Sequence, residues 1–295
     1  MHLIKNLFKL LIVFFIIDCM ISFALSELSK LSKIRYSRLY YTNINADVIF
    51  IGNSRGRNGF DSPYFEKLSG KKSINFSYNA LPLSLVKVFL DDYLERNQLP
   101  EIIFIEVHCI SDGYYGLLNF KQYMFNSSSL KDMIQKNYPI HYYASMISKS
   151  YIFNSEYFIR TLYYITKNDQ SWMNRFRISK KYYKNLKQHE DDFLFQKIDE
   201  SSMKIFTELV QKYTYQGITV IPVLAPIIEK CRNDENINNY ISDFESRTHL
   251  KIVNYSQAIS DIRLFADKIH TNDAGARFIT KKLYNFINED ASISF

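Results

Sequence analysis

The chain reads as an α/β protein, a three-layer sandwich with a parallel sheet, preceded by an N-terminal transmembrane helix and interrupted by a helical insertion. Three observations predict this. Residues 47–51, 101–107 and 218–224 are short apolar, β-branched runs, the length and composition of strands buried on both faces. Between them lie segments whose apolar residues recur at helical spacing, and strands alternating with helices give a parallel sheet covered on both sides. The 295 residues are 47% hydrophobic, enough for one large core, with no repeat or low-complexity tract and little Gly or Pro.

Residues 1–25 carry the membrane signal. Positions 10–17 are apolar without a break. The run continues through Leu25 if Asp18 is included, and Leu3, Leu7 and Phe8 extend it backwards. A span needs about 20 apolar residues, which this segment reaches only by tolerating Lys5, Lys9 and Asp18. Both lysines precede the run and can snorkel. By the positive-inside rule they hold the N-terminus in the cytoplasm and leave the rest outside. A single-pass, uncleaved anchor is the expectation; a cleaved signal peptide is the alternative, because Ser22-Phe23-Ala24 fits a small-x-small site. Asp18 within a span is costly unless paired, which points to a membrane partner; alternatively it lies at the outer interface. Residues 26–46 are expected to form a helical stalk, and 47–289 the folded domain.

The strand at 47–51 runs directly into Gly52-Asn53-Ser54-Arg55-Gly56. A Ser just past a strand, with small neighbours, is where an α/β enzyme places a nucleophile, and it is also where an ordinary turn places a helix cap. A second strand begins at Ser73 and leads into Asn75-Phe76-Ser77-Tyr78-Asn79-Ala80. A helix at 85–97, with Val88, Phe89 and Tyr93 on one face, links it to the strand 101–107, which carries Glu106 and leads to His108. Residues 111–200 form a Tyr- and Phe-rich helical insertion holding Trp172. It leaves the domain beyond the third strand, a place suited to a lid or an acceptor-binding wall. The helix at 202–215 buries Phe206, Leu209, Val210 and Tyr213 and ends at Gly217. The strand 218–224 is followed by Ala225-Pro226, and 250–253 forms a last short strand.

The segment Asp267-Lys268-Ile269-His270 follows. An Asp three residues before a His can bond the imidazole within one turn, fixing its tautomer and raising its basicity, as a general base requires. It can equally be a helix-capping loop with an exposed His. Asn272 or Asp273 caps the final helix, whose stripe is Phe278, Ile279, Leu283, Phe286 and Ile287.

Composition narrows the function classes. The net charge is +7, and its densest basic stretch is Arg175, Arg177, Lys180, Lys181, Lys184 and Lys187, interleaved with aromatics. With no nucleic-acid motif, this reads as a solvated helix face or a surface for lipid headgroups or an anionic glycan, not a nucleic-acid site. Three cysteines, Cys19, Cys109 and Cys231, have no metal-ligand spacing and no disulfide framework. A Cys109–Cys231 bridge and two lone buried thiols are the alternatives. No cofactor is expected.

The order of these segments resembles the SGNH (GDSL-like) hydrolase superfamily. Its strand followed by Gly-x-Ser is matched by Ile51-Gly52-Asn53-Ser54. Its terminal Asp-x-x-His is matched by Asp267 and His270, with Asn272 and Gly275 beyond. Its second block, Asn-x-Gly-x-x-Gly, is met by Asn75, with Ser77 and Ala80 at the Gly positions. Its third block, a strand ending in Gly-x-Asn, has the strand but no Asn. The resemblance implies a flavodoxin-like sheet and a triad of Ser54 as nucleophile, His270 as base and Asp267 as its orienter. It implies an oxyanion hole from the N–H groups of Ser54 and Ser77, with Asn79 the one nearby amide able to replace the missing Asn. A membrane-anchored branch that O-acylates envelope polymers, of the alginate O-acetylation and teichoic acid D-alanyl-transfer type, tends to end its third strand in an acidic residue, as Glu106 does here. That branch implies an extracytoplasmic acyltransferase or esterase acting on acyl groups of an envelope polysaccharide. Its partners would be the glycan or acyl donor and a membrane-bound acyltransferase. The alternative is a non-catalytic scaffold or glycan-binding protein with the same fold.

Overall fold

The computed structural model describes residues 2–108, 110–168, 174–188, 195 and 197–289. In chain order the helices are α1 (His2–Lys30), α2 (Arg35–Tyr41), α3 (Ser54–Gly59), α4 (Ser62–Ser69), α5 (Leu83–Arg96), α6 (Ser128–Asn137), α7 (Pro139–Ile147) and α8 (Glu156–Tyr163). They continue with α9 (Lys180–Asn185), α10 (Glu200–Tyr215), α11 (Asp234–Thr248) and α12 (Asp273–Glu289). The strands are β1 (Val48–Ile51), β2 (Ser73–Asn75), β3 (Ile102–Glu106), β4 (Thr219–Leu224) and β5 (Val253–Asn254). The chain divides into two compact units, one of Met1–Ile44 with Gly116–Asp169 and the other of Asn45–Tyr115 with Gln170–Phe295.

The larger unit is the expected α/β sandwich. Among the described residues its sheet has five strands in the order β2-β1-β3-β4-β5, every pair parallel. Side chains alternate across the sheet. Val48 and Phe50 of β1, Ile102 and Phe104 of β3, and Ile221 and Val223 of β4 join one core with Phe65 of α4 and Ile279, Leu283 and Ile287 of α12. Phe50 and Phe104 stack with centroids 5.1 Å apart, and Phe65 meets Phe50 edge-on. The strand residues Ile49, Ile51, Ile103 and Ile105 are also buried, as are Phe89 and Tyr93 of α5 and Phe206, Leu209 and Tyr213 of α10. The apolar stripes of the helices and the unbroken apolar strands therefore follow from one architecture, a sheet with both faces covered. The strand order reverses direction between β1 and β3. Open sheets of this kind bind ligands at that reversal, beyond the carboxyl ends of the strands.

The smaller unit is helical. The continuous helix α1 is long and apolar enough to cross a membrane, by length and composition. Residues 26–46, expected as a stalk, complete α1 and form α2, whose Tyr36, Leu39 and Tyr40 are buried. Tyr36 packs edge-on against Phe120 and Tyr157, and Ser37 Oγ lies 2.8 Å from the Tyr123 hydroxyl. These rings give α2 an apolar face that has to be covered, which a bare stalk would leave in water. Gly116–Asp169, from the expected insertion, belongs to this helical unit. Trp172 and Cys109, singled out above, lie outside the described residues. Cys231 is buried and Cys19 exposed.

Candidate functional site

The end of β1 is built to present Ser54. Gly52 sits at φ +155°, and a Cβ on it would stand 2.6 Å from the Glu106 Cβ of β3, so only glycine lets the two strand ends approach this closely. Asn53 then caps α3, its Oδ1 accepting the Arg55 N–H at 2.8 Å while its Nδ2 donates to the His108 carbonyl at 2.8 Å. Ser54 is the first residue of α3, so its N–H has no acceptor inside the helix.

The His270 loop is fixed by its own backbone. Ala266 N–H donates to the His270 carbonyl at 2.9 Å, and a bridge pairs Phe265 with Thr271. Asn272 is the cap of α12, accepting the N–H groups of Ala274 and Gly275 at 3.1 Å each. Gly275 is required by close approach, because a Cβ there would lie 2.2 Å from the Leu264 carbonyl oxygen. Thr271 Oγ1 donates to the Asn58 carbonyl at 2.7 Å, and Asn58 Nδ2 donates to the Ser54 carbonyl at 2.7 Å. Those two bonds tie the loop to the helix that carries Ser54.

Across this junction His270 Nε2 lies 2.8 Å from Ser54 Oγ, and His270 Nδ1 lies 2.8 Å and 3.0 Å from the two Asp267 oxygens. Asp267 Oδ1 also accepts the N–H groups of Ile269 and His270, each at 2.9 Å. Burial alone would raise the Asp267 carboxyl, but the His270 ring, its charge and these two amides outweigh it, and the group sits below its ordinary value. A carboxylate so held selects the His270 tautomer with Nδ1 protonated and Nε2 free to accept the serine proton. The arrangement can therefore deprotonate a hydroxyl and stabilise the imidazolium that results.

The other sequence-predicted residues are placed differently. The Ser77 N–H donates to Asn75 Oδ1 at 2.9 Å, so this amide is already engaged. Asn75 Nδ2 donates to the carbonyls of Gly56 and Phe60 at 3.1 and 2.9 Å, which makes Asn75 the clamp between the end of β2 and α3. Asn79 is exposed, with its Oδ1 accepting from Arg57 Nη1 at 2.9 Å.

Behind the Ser54 turn lies a buried polar group whose association sequence reasoning did not reach. Glu106, His108 and Arg55 are 3%, 1% and 3% exposed. His108 Nδ1 bonds Glu106 Oε1, Arg55 Nε lies 3.9 Å from the same oxygen, and Arg55 Nη2 reaches the carbonyls of Ala225, at 3.2 Å, and Pro226. Burial and the Arg55 charge push His108 down to about 4, so it is neutral. A carboxylate on β3 with a neutral His and an Arg keeps one charge of each sign in the cluster. Glu106 and His108 also line a small cavity together with Gly52, Asn53, Leu83 and Phe206. Arg55 was the residue missed. Its position directly after Ser54, in a turn otherwise made of small residues, was the available signal.

No family model matches the chain, and no curated protein matches it. Among solved structures it is similar to a protein provisionally described as a platelet activating factor from Streptococcus pneumonia, at 13% identity and a TM-score of 0.41, covering 96% of this chain and 98% of that one. It is similar to a provisionally described acylhydrolase from Bacteroides fragilis NCTC 9343, at 12% identity and a TM-score of 0.38, covering 82% and 86%. It is also similar to a GDSL-like lipase from Bacteroides thetaiotaomicron VPI-5482, at 12% identity and a TM-score of 0.36, covering 81% and 87%.

Proposed function

We propose that the chain is a membrane-anchored, extracytoplasmic serine esterase or O-acyltransferase acting on acyl groups of a cell-envelope polysaccharide. The observation that carries the reading is the continuous chain of hydrogen bonds from Ser54 Oγ through His270 to Asp267. In this scheme Ser54 Oγ attacks an acyl carbonyl while His270 Nε2 takes its proton, and Asp267 holds the ring. The tetrahedral adduct collapses, the bond to the leaving oxygen breaks, and His270 returns the proton to that oxygen. A sugar hydroxyl or water then gives up its proton to His270 and attacks the acyl-Ser54 ester; the bond from the acyl carbon to Ser54 Oγ breaks, and His270 returns the proton to Oγ. The polysaccharide substrate and a membrane-bound acyltransferase partner are supported by the sequence resemblance alone. The anchor has structural support. Cleavage after Ala24 would remove Asp18, whose carboxylate accepts the Ser148 and Ser150 hydroxyls at 2.6 and 2.5 Å.

One observation favours a second reading, a non-catalytic scaffold. The Ser77 amide is bonded to Asn75, and no third-strand Asn stands in reserve, so the oxyanion would lean on the Ser54 N–H. Loss of one donor typically slows acyl transfer by about a hundredfold to a thousandfold. Feeble hydrolysis of a generic ester therefore does not separate the readings, whereas covalent labelling does. The wild-type protein is expected to take up a fluorophosphonate probe, Ser54→Ala to take up none, and His270→Ala to react far more slowly. A folded wild-type protein that stays unlabelled would leave the scaffold reading standing.

A further inference from the structure

Helix α1 exposes apolar side chains along nearly its whole length, from Leu3 to Phe23, and Leu10 to Ile17 are each between 44% and 65% exposed. At 1.5 Å per residue that stretch is about 30 Å, the thickness of a bilayer's hydrocarbon core. Asp18 interrupts it, five residues and so about 8 Å before its end. Unlike its neighbours, Asp18 is only 5% exposed. The Ser148 and Ser150 hydroxyls donate to it at 2.6 and 2.5 Å, and the Lys149 and Ser150 N–H groups at 2.5 and 3.2 Å. A carboxylate at that depth is tolerated when its lone pairs are filled, and here the donors come from the turn that directly follows α7.

That bond set fixes the level of α7 along the apolar helix. Ile140, Tyr143 and Ile147 occupy positions i, i+3 and i+7 of α7, hence one face, and they are 82%, 58% and 63% exposed. The opposite side turns inward through Ser145, which is buried and donates to the His141 carbonyl at 2.8 Å. An apolar face on a short helix whose end is tied inside the apolar band of α1 has the form of an interfacial amphipathic helix. Building on the anchor reading above, we propose that α7 lies in the lipid interface of the membrane that α1 crosses. Its Ile140, Tyr143 and Ile147 face the acyl chains, and Asp18 is the tie that holds it at that depth. The occupant of this face is lipid, because the turn that ends α7 is bonded to Asp18 inside the apolar stretch of α1.

The same unit supplies an internal control. Ile159 of α8 is also apolar and 68% exposed, but α8 is tied further along: the Thr161 carbonyl accepts from Ser32 Oγ at 2.7 Å, beyond the end of α1. The experiment uses the full chain in nanodiscs of phosphatidylcholine and phosphatidylglycerol with nitroxide-bearing lipids. A single environment-sensitive fluorophore is placed at native Cys19, or at Ile140→Cys, Ile147→Cys or Ile159→Cys with the native cysteines replaced by Ser. Quenching at 140 and 147 is expected to approach that at Cys19 and to exceed that at 159 by at least about twofold. If Cys19 is quenched but 140 and 147 behave like 159, the α7 proposal is overturned and the anchor stands. If Cys19 itself is unquenched, the anchor reading fails and takes the proposal with it. Labels at 140 and 147 that are open to water in pure lipid but shielded in native membranes would also overturn it, assigning the face to a membrane protein.

Discussion

Replacing Gly52 with Ala tests how the strand ends position Ser54. Two costs are separable. The backbone at φ +155° is one that L side chains rarely adopt, and the new Cβ would stand 2.6 Å from Glu106 Cβ and 3.2 Å from its carbonyl oxygen. The first cost is about 1–3 kcal/mol, as for other sparsely populated backbone regions. The second is overpacking between two strands held in register by β1–β3 pairing, and adds about 1–3 kcal/mol because neither strand can move alone. Gly70→Ala provides the comparison, since Gly70 is left-handed at φ +73° with nothing within 4 Å of a Cβ, and so carries a backbone cost of about 1–2 kcal/mol and no overpacking. At about 2–4 °C per kcal/mol, Gly70→Ala is expected to lower the melting temperature by about 2–8 °C and Gly52→Ala by about 4–24 °C, with Gly52→Ala always the worse of the pair. Thermal unfolding followed by circular dichroism reads the difference. Fluorophosphonate labelling of the folded fraction should slow in Gly52→Ala and not in Gly70→Ala, because Ser54 is two residues past the strain. Equal melting temperatures for the two variants would refute the close approach of the strand ends.

Two further outcomes follow from the site. Asp267→Asn should leave the fold intact but slow probe labelling roughly 10⁴-fold, because the amide no longer selects the His270 tautomer that accepts the serine proton; labelling at the wild-type rate would remove Asp267 from the mechanism. His108 is held at about 4 against an ordinary value of 6.5, so the unfolded chain protonates first on acidification. Stability is full above about pH 6.5 and falls as the pH drops towards 4, by on the order of 3 kcal/mol in all. Urea midpoints at pH 7.5 and 5 should differ in the wild type and converge in His108→Asn, and parallel pH profiles would contradict the buried neutral imidazole.

The parallel sheet was legible because strands buried on both faces are written as unbroken apolar runs, such as Val48-Ile49-Phe50-Ile51, and the helices between them as stripes at a 3.6-residue period. Ser54 and the Asp267–His270 pair were legible for a similar reason, since a strand-to-helix turn and an i, i+3 pair are local arrangements. Their meeting across 216 positions was not. It depends on Asn58 and Thr271, two residues with no chemical signature, which fasten α3 to the loop before α12. The fate of the Ser77 amide was likewise hidden, because Asn75 could have turned its side chain outward; only the packing of α3 beside β2 aims it at Gly56, Phe60 and Ser77. Asp18 shows the same division. The sequence by itself determined that a carboxylate sits in an apolar helix and that it needs a partner. Which partner was a tertiary decision, since the donors of 148–150 are 130 to 132 residues away along the chain and meet Asp18 only because their segment packs against α1 within the helical unit. Periodicity records what a segment buries, whereas a hydrogen bond between distant segments leaves no period behind it.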